Sequence, residues 1–379
     1  MRIAYFSESL LPNMDGVSHT FNQLINTLQQ QKIEFRFYSP FKPGQEVEWS
    51  ERVRQMKAVS FPLYRQYKVS VPLLDNPEED IEQFNPDILH VAAPTFLSFY
   101  AIRFAKKRDI PVVASYHTHW VSYFSYYGFK GAEGLGWRVL RWFHNQCDAT
   151  YTPSSSAKRE LESAGIKNVQ LWPRGIDVKK FSPKYRSEPL RKQISAKDLP
   201  FLLFVGRLVK EKDVEDLIAA DHWLKKQKAR YKLVFVGEGP MAEDIQQELP
   251  DAYLAGYKKD EELANFYASS DIFVFPSTTE TFGNVVQEAM ASGLPVIGVK
   301  EGGVQDLIDD GCTGLLARPN DPQDLGQKIF KLLQNPDLRN QMTQEALNRM
   351  QNRTWEAVNM RLIDSYKQII HSRNGRQSN

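Results

Sequence analysis

Cysteine is almost missing from this chain: two residues, Cys147 and Cys312, stand among 379. Neither sits in a metal-ligand spacing, so a disulfide framework and a zinc ribbon are excluded, and a reducing cytoplasmic setting fits. An excess of one charge sign is missing too. The 48 basic residues nearly cancel the 46 acidic ones, and the net charge of +2 excludes a dedicated nucleic-acid binder. A long hydrophobic run is the third absence. The longest stretch without Asp, Glu, Lys or Arg is Ile110–Phe129, 20 residues. It carries Pro111, His117, His119, three Ser and four Tyr, and so reads as strand plus loop, not as a membrane span. The opening residues MRIAYFSESLLP lack the apolar core of a signal peptide, so the expected location is cytoplasmic.

Three motifs are absent as well. There is no Asp-x-Asp, the carboxylate pair that bridges a metal to a nucleotide sugar. No Gly-Lys dipeptide occurs, which removes a Walker A loop. No Gly-x-Ser-x-Gly occurs, which removes the nucleophile elbow of α/β-hydrolases.

What is present suits a large globular α/β protein. Apolar residues make up 42% and aromatics 12%, and the length suggests two domains. Arg2–Ser7, Ile33–Tyr38, Ile88–Ala92, Pro111–Tyr116 and Ala149–Thr152 read as strands separated by segments of helical length. A second series follows at Phe201–Val205, Tyr231–Val236, Tyr253–Ala255, Ile272–Phe275 and Pro295–Val299. Strands alternating with helices predict mostly parallel sheets with helices on both faces, here two Rossmann-like doubly wound domains. Phe181–Pro200, with Pro183, Pro189 and Pro200, reads as the linker between them. Trp355–Ile370 predicts an amphipathic C-terminal helix, with a frayed tail from His371.

The most informative stretch is PSTTETFGNVVQEAMASGLP, Pro276–Pro295. A buried strand runs into a loop holding Glu280, then into a helix from about Phe282 to Ser292. Glu288 lies eight positions beyond Glu280, roughly 12 Å at the helical rise. Between them Gly283 lets a ligand approach the backbone, and the helix start at Phe282, Gly283 and Asn284 offers N–H groups to an anion. Two acidic acceptors flanking such a site fit a nucleotide sugar, one for sugar hydroxyls and one for ribose hydroxyls. A capping Glu280 and a solvated Glu288 are the plainer alternative. In FVGRLVKEK, Arg207 can fork onto phosphate oxygens and Lys212 can add a point charge, as a departing nucleoside diphosphate requires.

Glu-x7-Glu within TETFGNVVQEAMASGLPV resembles the signature of the retaining GT-B glycosyltransferases of family 4, and the resemblance spans nearly the whole chain. FVGRLVKEK is similar to the family's diphosphate-binding loop, which implies that role for Arg207 and Lys212. PNMDGV at Pro12–Val17 resembles the N-terminal glycine loop, although Asp15 stands where many members have a first glycine and leaves Gly16 alone. LWPRGIDVKKFSP, VGEGP and EGGVQDLIDDGCTGLL also match family phrases. The family's active-site histidine falls in the phrase PVVASYHTHW, which implies that His117 touches the transferred sugar; His119 competes for that role. The resemblance implies a GT-B fold with two domains facing across a cleft. An acceptor domain at 1–182, joined by the C-terminal helix 355–379, and a donor domain at 183–354 are expected.

Tyr-His-Thr-His followed by aromatics is similar to lipid-glycosylating members. Trp120, Tyr123 and Tyr127 precede a helix in which Trp137, Leu140, Phe143 and His144 alternate with Arg138 and Arg141. The segment 101–180 holds 13 basic and 6 acidic residues, so aromatic and basic groups together suit an anionic membrane surface; a core helix with exposed arginines is the plainer alternative. The expected activity is retaining, metal-independent transfer of a hexose from a UDP- or GDP-sugar to the hydroxyl of a lipid or lipid-linked glycan. No cofactor is expected beyond the nucleotide-sugar co-substrate. Catalysis falls to His117, Arg207, Lys212 and Glu280; donor binding falls to Gly16, Arg207, Lys212, Glu280, Phe282, Gly283, Asn284 and Glu288. A soluble acceptor, such as a thiol precursor or a glucan, remains open. An NAD-dependent oxidoreductase built on VGEGP would need an acidic end to the next strand, where the chain instead reads AGYKK. A silent scaffold would not need these charged groups intact.

Overall fold

The strand β1 (Arg2–Phe6) divides its side chains between two cores, as a strand covered on both faces must. Ile3 and Tyr5 join Phe21, Leu24, Leu362 and Ile363 on one face. Ala4 and Phe6 join Leu97, Ala101, Phe104 and Phe143 on the other. The computed structural model describes residues 1–11, 16–61, 64–117 and 133–377. The chain separates into two compact units, Met1–Pro173 with Trp355–Asn379, and Arg174–Thr354.

In the first unit β1 is followed by β2 (Glu34–Ser39), β3 (Val53–Gln55) and the antiparallel pair β4 (Ala58–Phe61) and β5 (Tyr64–Ser70). Then come β6 (Ile88–Val91), β7 (Val112–Ser115), β8 (Ala149–Thr152) and β9 (Val169–Leu171). The main sheet has the order β3-β2-β1-β6-β7-β8-β9 and is parallel throughout, with Ile3 opposite both Phe35 and Ile88. The C-terminal helix runs Trp355–Gln377, longer than expected, and stays helical past His371. It is bolted to this unit by Asn359, which is fully buried. Its amide donates to the Gln23 carbonyl at 3.1 Å and to Thr27 Oγ1 at 3.0 Å, and accepts from Trp172 Nε1 at 3.2 Å.

The second unit repeats the architecture with β10 (Phe201–Val205), β11 (Lys232–Val236), β12 (Tyr253–Leu254), β13 (Ile272–Phe275), β14 (Val296–Val299) and β15 (Gly314–Ala317). Its parallel sheet has the order β12-β11-β10-β13-β14-β15. The expected linker Phe181–Pro200 is instead part of this unit. Phe181 and Ile194 lie in its core. Pro189 sits in the first turn of a helix, Glu188–Ile194, capped by Ser187. Arg191, itself buried, donates to the Ser269 carbonyl and to Asp271, each at 2.8 Å. Ile176 likewise bridges to Thr354, so the break between units lies at Pro173–Arg174, upstream of residue 182.

Each unit has one topological switch. From β1 the chain winds out to β2 and β3, then returns to β6 on the other side of β1. From β10 it winds out to β11 and β12, then returns to β13. Ligands of doubly wound sheets bind outside the carboxyl ends of the strands at such points. Among the described residues, no helix is long and apolar enough to cross a membrane.

Candidate active site

The loops leaving β10 and β13 meet at the switch point of the second unit and are laced together. Asp213, held at a φ of 52° in the left-handed region, accepts from both the Thr278 amide and its hydroxyl at 2.8 Å. Thr279 Oγ1 donates to the Glu211 carbonyl at 2.9 Å. Across this lacing Lys212 Nζ donates to Glu280 Oε1. Two of the expected site residues therefore touch, and both are largely withdrawn from solvent, with side chains 16% and 22% exposed. Arg207 is placed differently: its side chain is 71% exposed and makes a 3.3 Å ion pair with Glu211 one turn on. A cation held loosely by an i,i+4 partner in water is available to a stronger anion.

The helix after Glu280 begins at Asn284, two residues later than expected, because Gly283 has a φ of 94°. A Cβ on Gly283 would also press Val304 at 3.3 Å. The Phe282 side chain is buried in the core, so only its backbone can serve a ligand. Asn284 opens the helix at the surface, and the N–H groups of this first turn form the anion-seeking end. The segment after β14 closes over this loop. Gly303 donates to the Glu280 carbonyl at 2.7 Å, and a Cβ on Gly303 would stand 2.3 Å from the Thr281 carbonyl oxygen.

Glu288 is not the solvated surface group that helix periodicity alone would allow. Tyr267 donates to Glu288 Oε2 at 2.8 Å, and burial raises the carboxyl above its ordinary range, with Tyr267 and the Lys180 charge pulling the other way. It does not share its partner with Glu280. Tyr267, Asp213 and Thr278 are the supporting residues that the sequence did not single out; KEKD at Lys210–Asp213 was the one local signal. The glycines of VGEGP serve packing. Cβ atoms at Gly237 and Gly239 would stand 1.9 and 2.2 Å from the carbonyl oxygens of Gly206 and Leu208. They let the loop after β11 lie on the loop of Arg207, so no dinucleotide is needed to explain them.

In the first unit Gly16 opens the helix Gly16–Gln30, and a Cβ there would meet nothing within 4 Å among the described residues. His117, two residues past β7, is buried with its ring edge-on to Phe21 at 5.9 Å and Trp172 at 5.3 Å. Phe21 belongs to the helix that Gly16 begins, so the structure brings these two expected residues to one helix. Glu8 was missed. It follows β1 at the switch point, accepts from the Ser70 hydroxyl at 2.9 Å, and burial raises its carboxyl above the usual range. Asp15, His119, Trp120, Tyr123 and Tyr127 lie outside the described residues.

The helix Glu133–His144 does not follow the expected face. Leu140, Phe143 and His144 are buried and Trp137 packs on a core cluster, while Leu135, Val139 and Trp142 are exposed beside Arg138 and Arg141. The structure therefore exposes a different apolar stripe from the one named in the sequence. Among the described residues, no three His, Cys, Asp or Glu side chains are grouped to hold a metal ion.

Comparison with known proteins agrees with this layout. The family model for Glycosyltransferase Family 4 matches residues 14–180, and that for glycosyl transferases group 1 matches residues 186–349. A GDP-mannose-dependent alpha-mannosyltransferase of Corynebacterium glutamicum is 33% identical, over 98% of this chain and 89% of its own length. The sulfoquinovosyl transferase of Arabidopsis thaliana is 32% identical, over 95% of this chain and 72% of its own. Sucrose-phosphate synthase from Thermosynechococcus elongatus superposes with a TM-score of 0.76 at 21% identity, covering 98% of this chain and 99% of that one. The fold is accordingly GT-B. The chain belongs to glycosyltransferase family 4 and transfers a sugar from a nucleotide sugar.

Proposed function

We propose that the protein moves a hexose from a GDP- or UDP-sugar to a hydroxyl of a lipid or lipid-linked glycan, with retention of anomeric configuration and without a metal. The observation that carries this reading is the Lys212–Glu280 pair at the switch point, with Arg207 exposed beside it. A departing diphosphate needs fixed cations where its charge develops. Lys212 and Arg207 supply them, and a diphosphate that takes Lys212 releases the Glu280 carboxylate to the hydroxyls of the sugar. Glu288, steadied by Tyr267, serves the ribose. His117 contacts the transferred sugar, and the leaving phosphate accepts the proton of the attacking hydroxyl on the same face.

The names of relatives support the finer assignments. GDP-mannose is named as donor in relatives of Corynebacterium glutamicum and Mycobacterium tuberculosis, and an alpha product from an α-linked donor fits retention. The alpha-monoglucosyldiacylglycerol synthase of Streptococcus pneumoniae, 27% identical over 92% of this chain, supports a lipid acceptor. On this reading the transfer takes place at the cytosolic face of the membrane, with the protein bound peripherally. The test pairs GDP-mannose, UDP-glucose and their free nucleotides in thermal shift, then assays transfer to diacylglycerol and polyprenyl acceptors. The expected product is α-linked and its formation survives excess EDTA. A β-linked product would overturn retention, and loss on chelation restored by Mg²⁺ or Mn²⁺ would overturn the metal-free mechanism.

A further inference from the structure

Two helices cover one face of the first sheet, Phe96–Arg108 and Glu133–His144, and each buries one stripe and exposes another. They run side by side in the same sense. The ring of Phe99 lies 5.5 Å from that of Trp142, and further along Lys106 Nζ bonds to Gln146 Oε1. Inward go Leu97, Ala101 and Phe104 from the first helix and Leu140 and Phe143 from the second. Outward stand Phe96, Leu135, Val139 and Trp142, 70%, 62%, 44% and 56% exposed. Four of the nine large apolar side chains exposed among the described residues thus fall on this one face.

Charge completes the pattern. Arg103 and Lys106 continue the stripe of Phe96 and Phe99 at helical spacing and are exposed. Arg138 and Arg141 flank Val139 and Trp142. Lys107 and Arg108 are turned to Glu78 instead. The sole acidic residue in either helix is Glu133. Both helices start at the carboxyl edge of the first sheet, the edge that carries His117, so Phe96 and Leu135 lie toward that edge.

We propose that this face is a docking surface for an anionic lipid bilayer. The aromatic and aliphatic groups enter the boundary between headgroups and acyl chains, and the four cations meet lipid phosphates. The inference rests on the lipid-acceptor reading for its purpose and on the exposed stripe for its geometry. A second copy of the chain fits this face poorly, because a twofold contact sets the same four cations against one another. A bilayer of opposite charge has no such conflict.

The experiment is cosedimentation at low salt with vesicles of phosphatidylcholine alone and of an equimolar mixture with phosphatidylglycerol. Wild-type protein should pellet with the mixed vesicles only and be released by salt. Each basic group at an anionic surface strengthens partitioning about fivefold, so reversing two of them, Arg103→Glu with Arg138→Glu, should weaken it at least about 25-fold. Trp142→Ser should weaken it as well. Both variants should keep the melting temperature and keep transfer to a short-chain acceptor in solution. Equal pelleting of wild type with both vesicle types, or unchanged pelleting of the variants, overturns the proposal. A dimer in light scattering that Trp142→Ser dissolves assigns the face to a second copy and overturns it too. If Trp142→Ser fails to fold, the charge reversal on exposed side chains decides alone. Vesicle binding by a protein that glycosylates no lipid keeps the docking surface and sinks the acceptor reading. Glycosylation of detergent-dispersed lipid without vesicle binding does the reverse.

Discussion

The two units share a topology and use their switch points differently. In the second unit the loops after β10, β13 and β14 are joined by hydrogen bonds and an ion pair, with glycines where backbone meets backbone. In the first unit the described part of the corresponding edge sets the aromatic rings of Phe21 and Trp172 around His117, and no described atom stands within 4 Å of a Cβ at Gly16. On the proposed function the difference follows from the task. Stabilising a developing diphosphate charge demands polar groups fixed in advance, because a group that must reorganise during the reaction gives back what it contributes. Admitting an acceptor needs room and apolar surface.

The largest expected effect tests the polar half. Lys212→Ala removes a cation from a nearly closed site and leaves Glu280 without its partner, so turnover should fall by at least ~100-fold, the usual scale for one electrostatic stabiliser. Arg207→Ala should show a comparable loss with a weaker nucleoside diphosphate affinity by calorimetry. Wild-type turnover in either variant would break the contrast.

A smaller effect separates the packed glycines from the open one. Gly303→Ala forces a Cβ onto backbone 2.3 Å away, so the melting temperature should fall by roughly 3–10 °C, matching ~1–3 kcal/mol of overpacking. Gly16→Ala meets no described atom, and its stability should stay within ~0.5 kcal/mol while transfer slows. If Gly16→Ala transfers at the normal rate, the donor-binding role expected of that glycine is wrong.

The smallest effect lies in pH. Burial lifts Glu288 above its ordinary 4.5, so the folded protein holds that proton more tightly than the unfolded chain does. The associated stability is complete below pH 4.5 and is lost as pH rises through the higher folded value. Glu288→Gln should therefore flatten the decline in urea midpoint from pH 4.5 upward. Glu8→Gln should do the same for the first unit, since burial lifts that carboxyl also. An unchanged pH profile in both variants would show that these carboxyls are solvated.

Local signals account for what was legible. Glu280, Gly283 and the helix start sit within a few residues of each other, and Gly206–Arg207 directly follows a strand, so spacing alone places them at a carboxyl edge. The partners were not legible. Asp213 and Thr278 are 65 residues apart and Tyr267 and Glu288 are 21 apart, and no periodicity reports such meetings. The supposed linker misled for the same reason: three prolines look like loop, whereas the bonds of Arg191 to Ser269 and Asp271 are non-local. β3 and β9 were missed as short edge strands whose outward residues are polar or exposed, and β4 and β5 as a pair outside the main sheet. On the helix Glu133–His144 the amphipathic period was visible, but Trp142 and Phe143 are adjacent, and only packing decides which of them is covered.

The buried Asn359 carries a consequence for how the chain is made. The first unit takes its last helix from Trp355–Gln377, while the second is complete by Thr354. Every residue of the second unit is therefore made before the first unit has the helix that closes over Gln23, Thr27 and Trp172. The usual order of maturation, first domain first, is inverted here. Until Leu362, Ile363 and Tyr366 have been added, the face of the first sheet that awaits them stays uncovered, and the nascent protein is most exposed to misassembly in its oldest part.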